Sequence, residues 1–294
     1  LPLYTPFNDP EGRTMEPWQQ TFACFYPHGT IFIRPGLLHG WKDMTEPPMS
    51  RFLSGHFCFA RAEWAKEIKH DTDIYFSGEE LNLTVRSYTH GYDLFHPHKL
   101  VVWHSTMREE RSGMLKWDDD SKLGVDWFQK QEYARKKIRV LLRAEEDPTI
   151  DLTGYDLGTD RSLRDFEKYA GFHFKRKAVQ KYTLDNNYPP NPYIEDNELW
   201  EQSFMGSFYH LVTIHPHDFP RKNYKHILVA FDDETGQAVN YKYITGQDLD
   251  NLMHNGQQVH YEEFFLTDVK PARVVFWGFT DEEGWVERIE QLLP

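Results

Sequence analysis

Cysteine is nearly missing from this chain of 294 residues, which has only Cys24 and Cys58. Two thiols cannot build a disulfide framework, and neither sits in metal-finger spacing, so a stapled secreted scaffold and a zinc finger are both excluded and a reducing, cytoplasmic setting is expected. No run of about 18 apolar residues occurs, so no membrane span is expected. The opening stretch LPLYTPFNDPEGR lacks the layout of a signal peptide or an amphipathic targeting helix. A Pro-rich start without an initiator Met reads as a piece of a longer protein. Positive charge is also scarce: 33 Lys and Arg face 46 Asp and Glu, a net charge of -13, which argues against a nucleic-acid partner. Aromatic residues, by contrast, are plentiful. They make up 16% of the chain, with 21 Phe, 16 Tyr and 9 Trp, enough to rule out disorder and to supply both apolar cores and rings that stack on sugars.

The length predicts two units. Residues 1–185 read as the first and residues 198–294 as a β-rich second, joined by a linker at 186–197 where NNYPPNPYIEDN can continue neither a helix nor a central strand. Loops and edge strands are expected up to Pro48, with a buried strand over Leu53–Phe59 and a helix over Arg61–Lys69. Ser77–His90 reads as a helix through the spacing of Leu81, Val85 and Tyr88, with Gly91 at the left-handed C′ position. Short strands over Tyr92–Phe95 and Leu100–Trp103 should follow, and Gly124–Glu146 should be a solvated surface helix carrying no chemistry. Ser162, with Asp165 three residues on, predicts a helix start. Beyond the linker, Phe208–Ile214, Ile227–Phe231, Val239–Ile244, Val259–Leu266 and Arg273–Phe279 alternate like strands, which predicts a sandwich or barrel closed by a short helix over Trp285–Leu293. Among Tyr241, Tyr243, Tyr261, Phe264, Phe265, Phe276 and Trp277, strict alternation must turn some rings outward.

The stretch DTDIYFSGEELNLTVRSYTHGYDLFHPHKLVVWH, residues 71–104, concentrates the candidate chemistry. Ser77-Gly-Glu-Glu80 places two carboxylates in a first helical turn, where the helix dipole favours anions. Ser77 and Glu80 also form a capping-box pattern, so Glu80 has a structural use that leaves Glu79 unexplained and makes Glu79 the better candidate for substrate contact. Asp71-Thr-Asp73 is formally D-x-D, but no βαβ unit precedes it, so it reads as a loop rather than a metal site. Asp118-Asp-Asp120 reads as a solvated turn. His96-Pro-His98 and His215-Pro-His217 lack the closed ligand sets of real metal sites.

Phe76-Ser-Gly-Glu-Glu-Leu81, Arg86 and Thr89-His-Gly-Tyr-Asp-Leu-Phe-His-Pro97 resemble the GlcNAc-transferase family that glycosylates hydroxyproline on a cytosolic ubiquitin-ligase subunit. More distantly they resemble the catalytic segment of polypeptide GalNAc-transferases. Ser54-Gly-His-Phe-Cys-Phe-Ala60 looks like the strand of that family leading to the acceptor side, and the likeness spans about residues 1–175. It implies an α/β fold, the acceptor-side part of a GT-A Rossmann-like fold whose N-terminal nucleotide-binding half is not evident in this sequence, plus the C-terminal all-β sandwich-like domain. It implies Glu79 as the catalytic residue, substrate contacts at Gly78, Glu80, Arg86, His56 and Trp103, and His104 as a ligand of manganese or another divalent cation. The implied activity is metal-dependent transfer of a hexosamine, GlcNAc from UDP-GlcNAc, to a hydroxyl of a protein or glycan acceptor. Two other readings stay open: a non-catalytic carbohydrate- or protein-binding module derived from a glycosyltransferase, and, ranked lower because no H-E-x-x-H accompanies Glu79 and His104, a metal-dependent hydrolase.

Overall fold

The computed structural model describes residues 3–4, 15–75, 78–105, 124, 126–214, 223–254 and 259–293. Contacts divide the chain into Leu1–Phe204 and Met205–Pro294. The stretch expected as a linker therefore lies inside the first unit, and packing explains why. The Asn191 amide donates to Gln180 Oε1 at 2.7 Å and to Thr183 Oγ1 at 3.0 Å, while Trp200 is 1% exposed beneath the Arg164 guanidinium. Among the described residues no helix is long and apolar enough to cross a membrane.

In the first unit, β1 (Leu3–Tyr4) pairs in parallel with β4 (His104–Ser105), and β2 (Trp18–Phe25) forms an antiparallel hairpin with β3 (Ile31–Leu37). The helices are α1 (Ala62–Glu67), α2 (Glu79–Thr89), α3 (Trp127–Leu141), α4 (Leu163–Ala170), α5 (Lys181–Leu184) and α6 (Asn197–Gln202), with β5 (Phe172–His173) and β6 (Ala178–Gln180) as a second hairpin. Leu53–Phe59 and Leu100–Trp103 are irregular, not strands, and of Tyr92–Phe95 only Phe95 makes a bridge, to Met49. Leu53 is held by the Thr84 side chain, and the 92–95 segment by single backbone bonds, Tyr92 N–H to Ser87 O and Ser50 N–H to Leu94 O.

Helix α2 is the hub. Leu81, Val85 and Tyr88 face the core as their spacing predicts, but every residue from Leu81 to Thr89 is buried, polar ones included. A helix sunk on all sides must find partners for most of the polar groups it takes inside, and α2 finds several by fastening the surrounding loops. Thr84 Oγ1 accepts the Leu53 N–H at 2.8 Å, Ser87 Oγ accepts the Trp64 indole N–H at 2.9 Å, and Thr89 Oγ1 accepts the Gly158 N–H at 2.9 Å. A side chain at Gly158 would come within 2.4 Å of the Thr89 carbonyl, so this loop requires glycine. Gly91 follows α2 at φ 88°, as the C′ reading required. Helix α4 starts with the predicted Ser162–Asp165 capping box, and its Phe166 and Tyr169 rings meet Tyr88 at 5.3 and 4.8 Å. Phe22, Phe25, Phe52, Phe172 and Phe174 complete the core, each burial contributing roughly 1.5–3 kcal/mol.

In the second unit, β8 (His226–Asp232), β9 (Ala238–Ile244), β11 (Arg273–Thr280) and β12 (Gly284–Leu292) form an antiparallel sheet ordered β12-β11-β8-β9. β7 (Phe204–Ile214) pairs with β10 (Val259–Thr267), and α7 (Gly246–His254) crosses between β9 and β10. Val212, Tyr261 and Phe265 of the β7–β10 pair share one core with Ile227, Val229, Phe231, Val274 and Phe276 of the sheet. The β-rich expectation holds, with two changes. Residues 285–292, expected as a helix, are strand β12, because Gly284 at φ 77° turns the chain back onto β11 and pairing outweighs the helix propensity of Glu, Arg and Leu. Helix α7 was not foreseen.

Candidate functional site

The chain enters α2 through Gly78, a left-handed N-cap at φ 94°. A side chain there would meet Ile138 Cγ1 of α3 at 3.0 Å, so both the backbone and the close approach call for glycine. This elbow aims two successive carboxylates in different directions. Glu80 Oε1 leaves its own helix and accepts the Gly55 N–H at 2.7 Å and the Gln20 amide at 3.4 Å. The same Gln20 amide lies 3.3 Å from Ser54 Oγ. Burial pushes the Glu80 carboxyl above its ordinary range, the Gly55 N–H opposes that, and the charge of Glu79 adds to the rise.

Glu79 faces a different partner: its Oε1 lies 3.2 Å from His70 Nε2, with both side chains partly open to solvent. A Cβ built on Gly55 would sit 3.4 Å from both Glu79 Oε1 and Glu80 Cγ. The 54–56 loop, His70 and the two glutamates are therefore one cluster. Gln20 extends it into a narrow polar crevice lined also by Arg51, His96 and Tyr188. Burial pulls the Arg51 guanidinium down to about 10 and the His96 imidazole down to about 3. Arg51 is satisfied by neutral acceptors, donating to Ala170 O at 2.9 Å and Asn191 Oδ1 at 2.5 Å.

Behind this cluster the acidic pair Asp71 and Asp73 is already occupied by the chain itself. Lys137 Nζ lies 3.0 Å from Asp71 and 2.8 Å from Asp73, with the lysine 2% and Asp71 0% exposed. Burial opposes the Lys137 ammonium, but the hydrogen bonds to Asp73 and Asp71 outweigh it and raise its pKa. The Tyr155 ring lies under both Lys137, at 5.0 Å, and Arg86, at 5.5 Å. Helix α3 is thus not simply a solvated surface helix, since it carries a buried ion pair into the core. Lys137 falls on the same buried stripe as Ala134, Ile138 and Leu141, and a lysine inside an apolar stripe was the signal that could have shown it.

The structure gathers Gly78, Glu79 and Glu80 at one end of α2, with exposed His56 next to Gly55 in the facing loop. Arg86, expected to touch substrate, is instead 1% exposed on the inner side of α2 and donates to Lys69 O at 2.7 Å and Asn82 Oδ1 at 3.2 Å. Its Nη1 group holds the chain that leads to Asp71, while its Nε is buried without a hydrogen-bond partner among the described residues. Trp103 is half-buried just before β4, and the backbone of His104 pairs with Leu3; the His104 side chain and Ser77 lie outside the described residues. So do Asp118–Asp120 and His215–His217. Glu80, expected also to cap its own helix through Ser77, accepts the Gly55 N–H; Ser77, the partner in that cap, lies outside the described residues. The sequence did not single out His70 or Gln20, and it placed Ser54 and Gly55 only in a segment leading to the acceptor side. Among the described residues, no group of three or more His, Cys, Asp or Glu side chains is placed to hold a metal ion.

A carboxylate pair on a Gly elbow beside a polar crevice is an arrangement that can serve general acid–base chemistry. A model of the glycosyltransferase (GlcNAc) family matches residues 4–176, more than half of the chain, and the protein belongs to that family. The matched segment contains every residue of the cluster and stops before the second unit. No curated protein and no solved structure matches the chain.

Proposed function

We propose that the chain transfers N-acetylglucosamine from UDP-GlcNAc to a hydroxyl of a polypeptide or glycan, with Glu79 as the catalytic carboxylate and a cytoplasmic site of action. The observation that supports this most is the accessible Glu79 carboxylate, oriented by His70 at 3.2 Å and backed by a loop that Glu80 fastens. As the acceptor oxygen bonds to the sugar C1, the C1–O bond to the diphosphate breaks, and the acceptor proton passes to Glu79. His70 donates to the same carboxylate and fixes its direction. Glu80 is then a positioning residue: with its carboxylate on the Gly55 N–H, it sets the height of the 54–56 loop, and with it His56, over Glu79.

Manganese dependence rests on the family resemblance and on His104 alone. A divalent cation would stabilise the departing diphosphate as a Lewis acid, but the described residues do not fit a full ligand set, since Lys137 already neutralises Asp71 and Asp73. That same lysine favours the second reading, a sugar- or protein-binding module built on a transferase scaffold. Turnover of UDP-GlcNAc, compared with UDP-GalNAc, separates the two. Glu79→Gln should lower turnover by roughly 10²- to 10⁴-fold with an unchanged melt, and Glu80→Gln should cost less than that. His104→Ala should remove the manganese dependence. Tight UDP-GlcNAc binding with no turnover in any metal would establish the binding module instead.

A further inference from the structure

The outer face of the second unit's sheet carries rings where a structural sheet face would carry polar side chains. His226 of β8, Phe279 of β11 and Trp285 of β12 lie in one cross-strand row, since Phe279 is paired with both His226 and Trp285. The imidazole of His226 stacks on Phe279 at 4.8 Å and 3°, while Tyr243 and Trp285 stand against it edge-on, at 5.2 Å and 86° and at 5.4 Å and 75°. Tyr243 thus meets the stacked pair from the His226 side, and Trp285, also 5.3 Å from Phe279, packs across the edges of both rings. Together with Thr245 they line an open slot of about 440 Å³, within the range of clefts that hold small ligands. The rings are not core: Tyr243 is 48% and Trp285 40% exposed, whereas Ile227, Val229 and Phe276 on the opposite face are each 1% exposed. Holding large rings in water on a sheet that has already buried its other face marks a binding surface.

The surroundings say which ligand. Lys225 beside His226 is paired with Asp281 at 2.8 Å and Arg288 with Glu290 at 2.8 Å, while Glu282 and Glu283 precede Trp285 in the turn, so these two cations are not free for a phosphate or a nucleic acid. The Tyr243 and Thr245 hydroxyls and the His226 nitrogens put donors and acceptors around an apolar floor. A pyranose matches this chemistry: one face of C–H groups to lie on rings, and hydroxyls around its edge to meet polar atoms. We propose that the Tyr243–His226–Phe279–Trp285 slot binds a neutral pyranoside oligosaccharide, a second carbohydrate site outside the family-matched residues and distinct from the Glu79 cluster. It would tether glycan to the enzyme without taking part in bond making.

Saturation-transfer NMR on the full chain tests this with three probes: triacetylchitotriose, cellotriose and an uncharged proline-rich peptide. At least one trisaccharide should receive saturation at millimolar concentration, with affinity roughly tenfold weaker in both Trp285→Ala and Tyr243→Ala. Tyr243 lies on the edge strand β9, so its substitution keeps the test valid if Trp285→Ala does not fold. Glu79→Gln should bind the oligosaccharide as the unaltered chain does, which separates this site from the proposed transfer chemistry. The proposal is overturned by saturation of neither trisaccharide, by binding that survives in Tyr243→Ala, by loss of binding in Glu79→Gln, or by binding of the peptide alone.

Discussion

Groups buried to a similar depth differ in kind between the two units. In Leu1–Phe204 the residues under a tenth exposed include Lys137, Asp71, Arg86, Arg51, Glu167, Asn82, Gln131 and Asn191, whereas in Met205–Pro294 the buried polar residues described are Asp232, Thr267 and Thr280 amid a cluster of Phe, Val, Ile and Tyr. The contrast follows from what holds each in shape. Strand ladders satisfy the backbone of the second unit, so its interior is free to be apolar. The first unit is a set of loops around one helix, and loops taken inside must be met by side-chain donors and acceptors. Buried charge is the cost of that arrangement, and it gives the Glu79 cluster its fixed loop geometry.

The sharpest way to break the comparison is at Lys137. Lys137→Met leaves Asp71 buried without its counter-ion and should cost about 3–5 kcal/mol. Hydrogen exchange should quicken around α2 and α3 and stay unchanged in β8 and β11. Adding Asp71→Asn should recover much of the loss; no recovery would show that the lysine matters by packing and not by charge.

Acid should separate the units next. His96 is buried and neutral, its pKa held at about 3 by burial, with the charge of Arg51 adding to the effect. An unfolded histidine takes up a proton below about 6.5, which the folded chain refuses. The stability from this group is therefore present above pH 6.5 and lost as the pH falls towards 3, at about 1.4 kcal/mol per pH unit. Denaturant midpoints measured from pH 7 to pH 4 should fall less steeply in His96→Leu; an identical slope would remove His96 as the cause. The smallest effect belongs to the apolar side of the comparison. Ile227→Val, at a position 1% exposed, should cost about 0.5–1.5 kcal/mol, and by the same titration that cost should not change with pH.

What could be read from the sequence follows the range of the interactions. Helix α2 was legible because Leu81, Val85, Tyr88 and Gly91 are local signals, and so was the Ser162–Asp165 cap. The strand runs of the second unit showed in their alternation, and the outward Tyr241 and Tyr243 follow from it. The partners of the glutamates were not legible. Glu80 finds Gly55 across 25 residues and Lys137 finds Asp71 across 66, distances over which no pattern of residue types specifies a pairing. Strand β12 was misread for a related reason: its Glu, Arg and Leu content speaks for a helix, and only β11 beside it decides otherwise. Glu79 could be singled out, but the histidine that orients it could not.

The contact between Gly78 and Ile138 has a genetic consequence. Helix α3 touches the very residue from which the two carboxylates are launched, so a bulkier residue at either position would swing the pair rather than simply loosen the fold. Variation at 78 and 138 should then be linked through fitness. An activity defect from Gly78→Ala should be partly suppressed by Ile138→Ala, which removes both the Cγ1 and Cδ1 atoms that the new methyl group would meet, while the strain of φ 94° persists. Suppressor selection starting from a Gly78 variant would be expected to return to α3, some sixty residues along the chain, before it turned up changes beside the glutamates themselves.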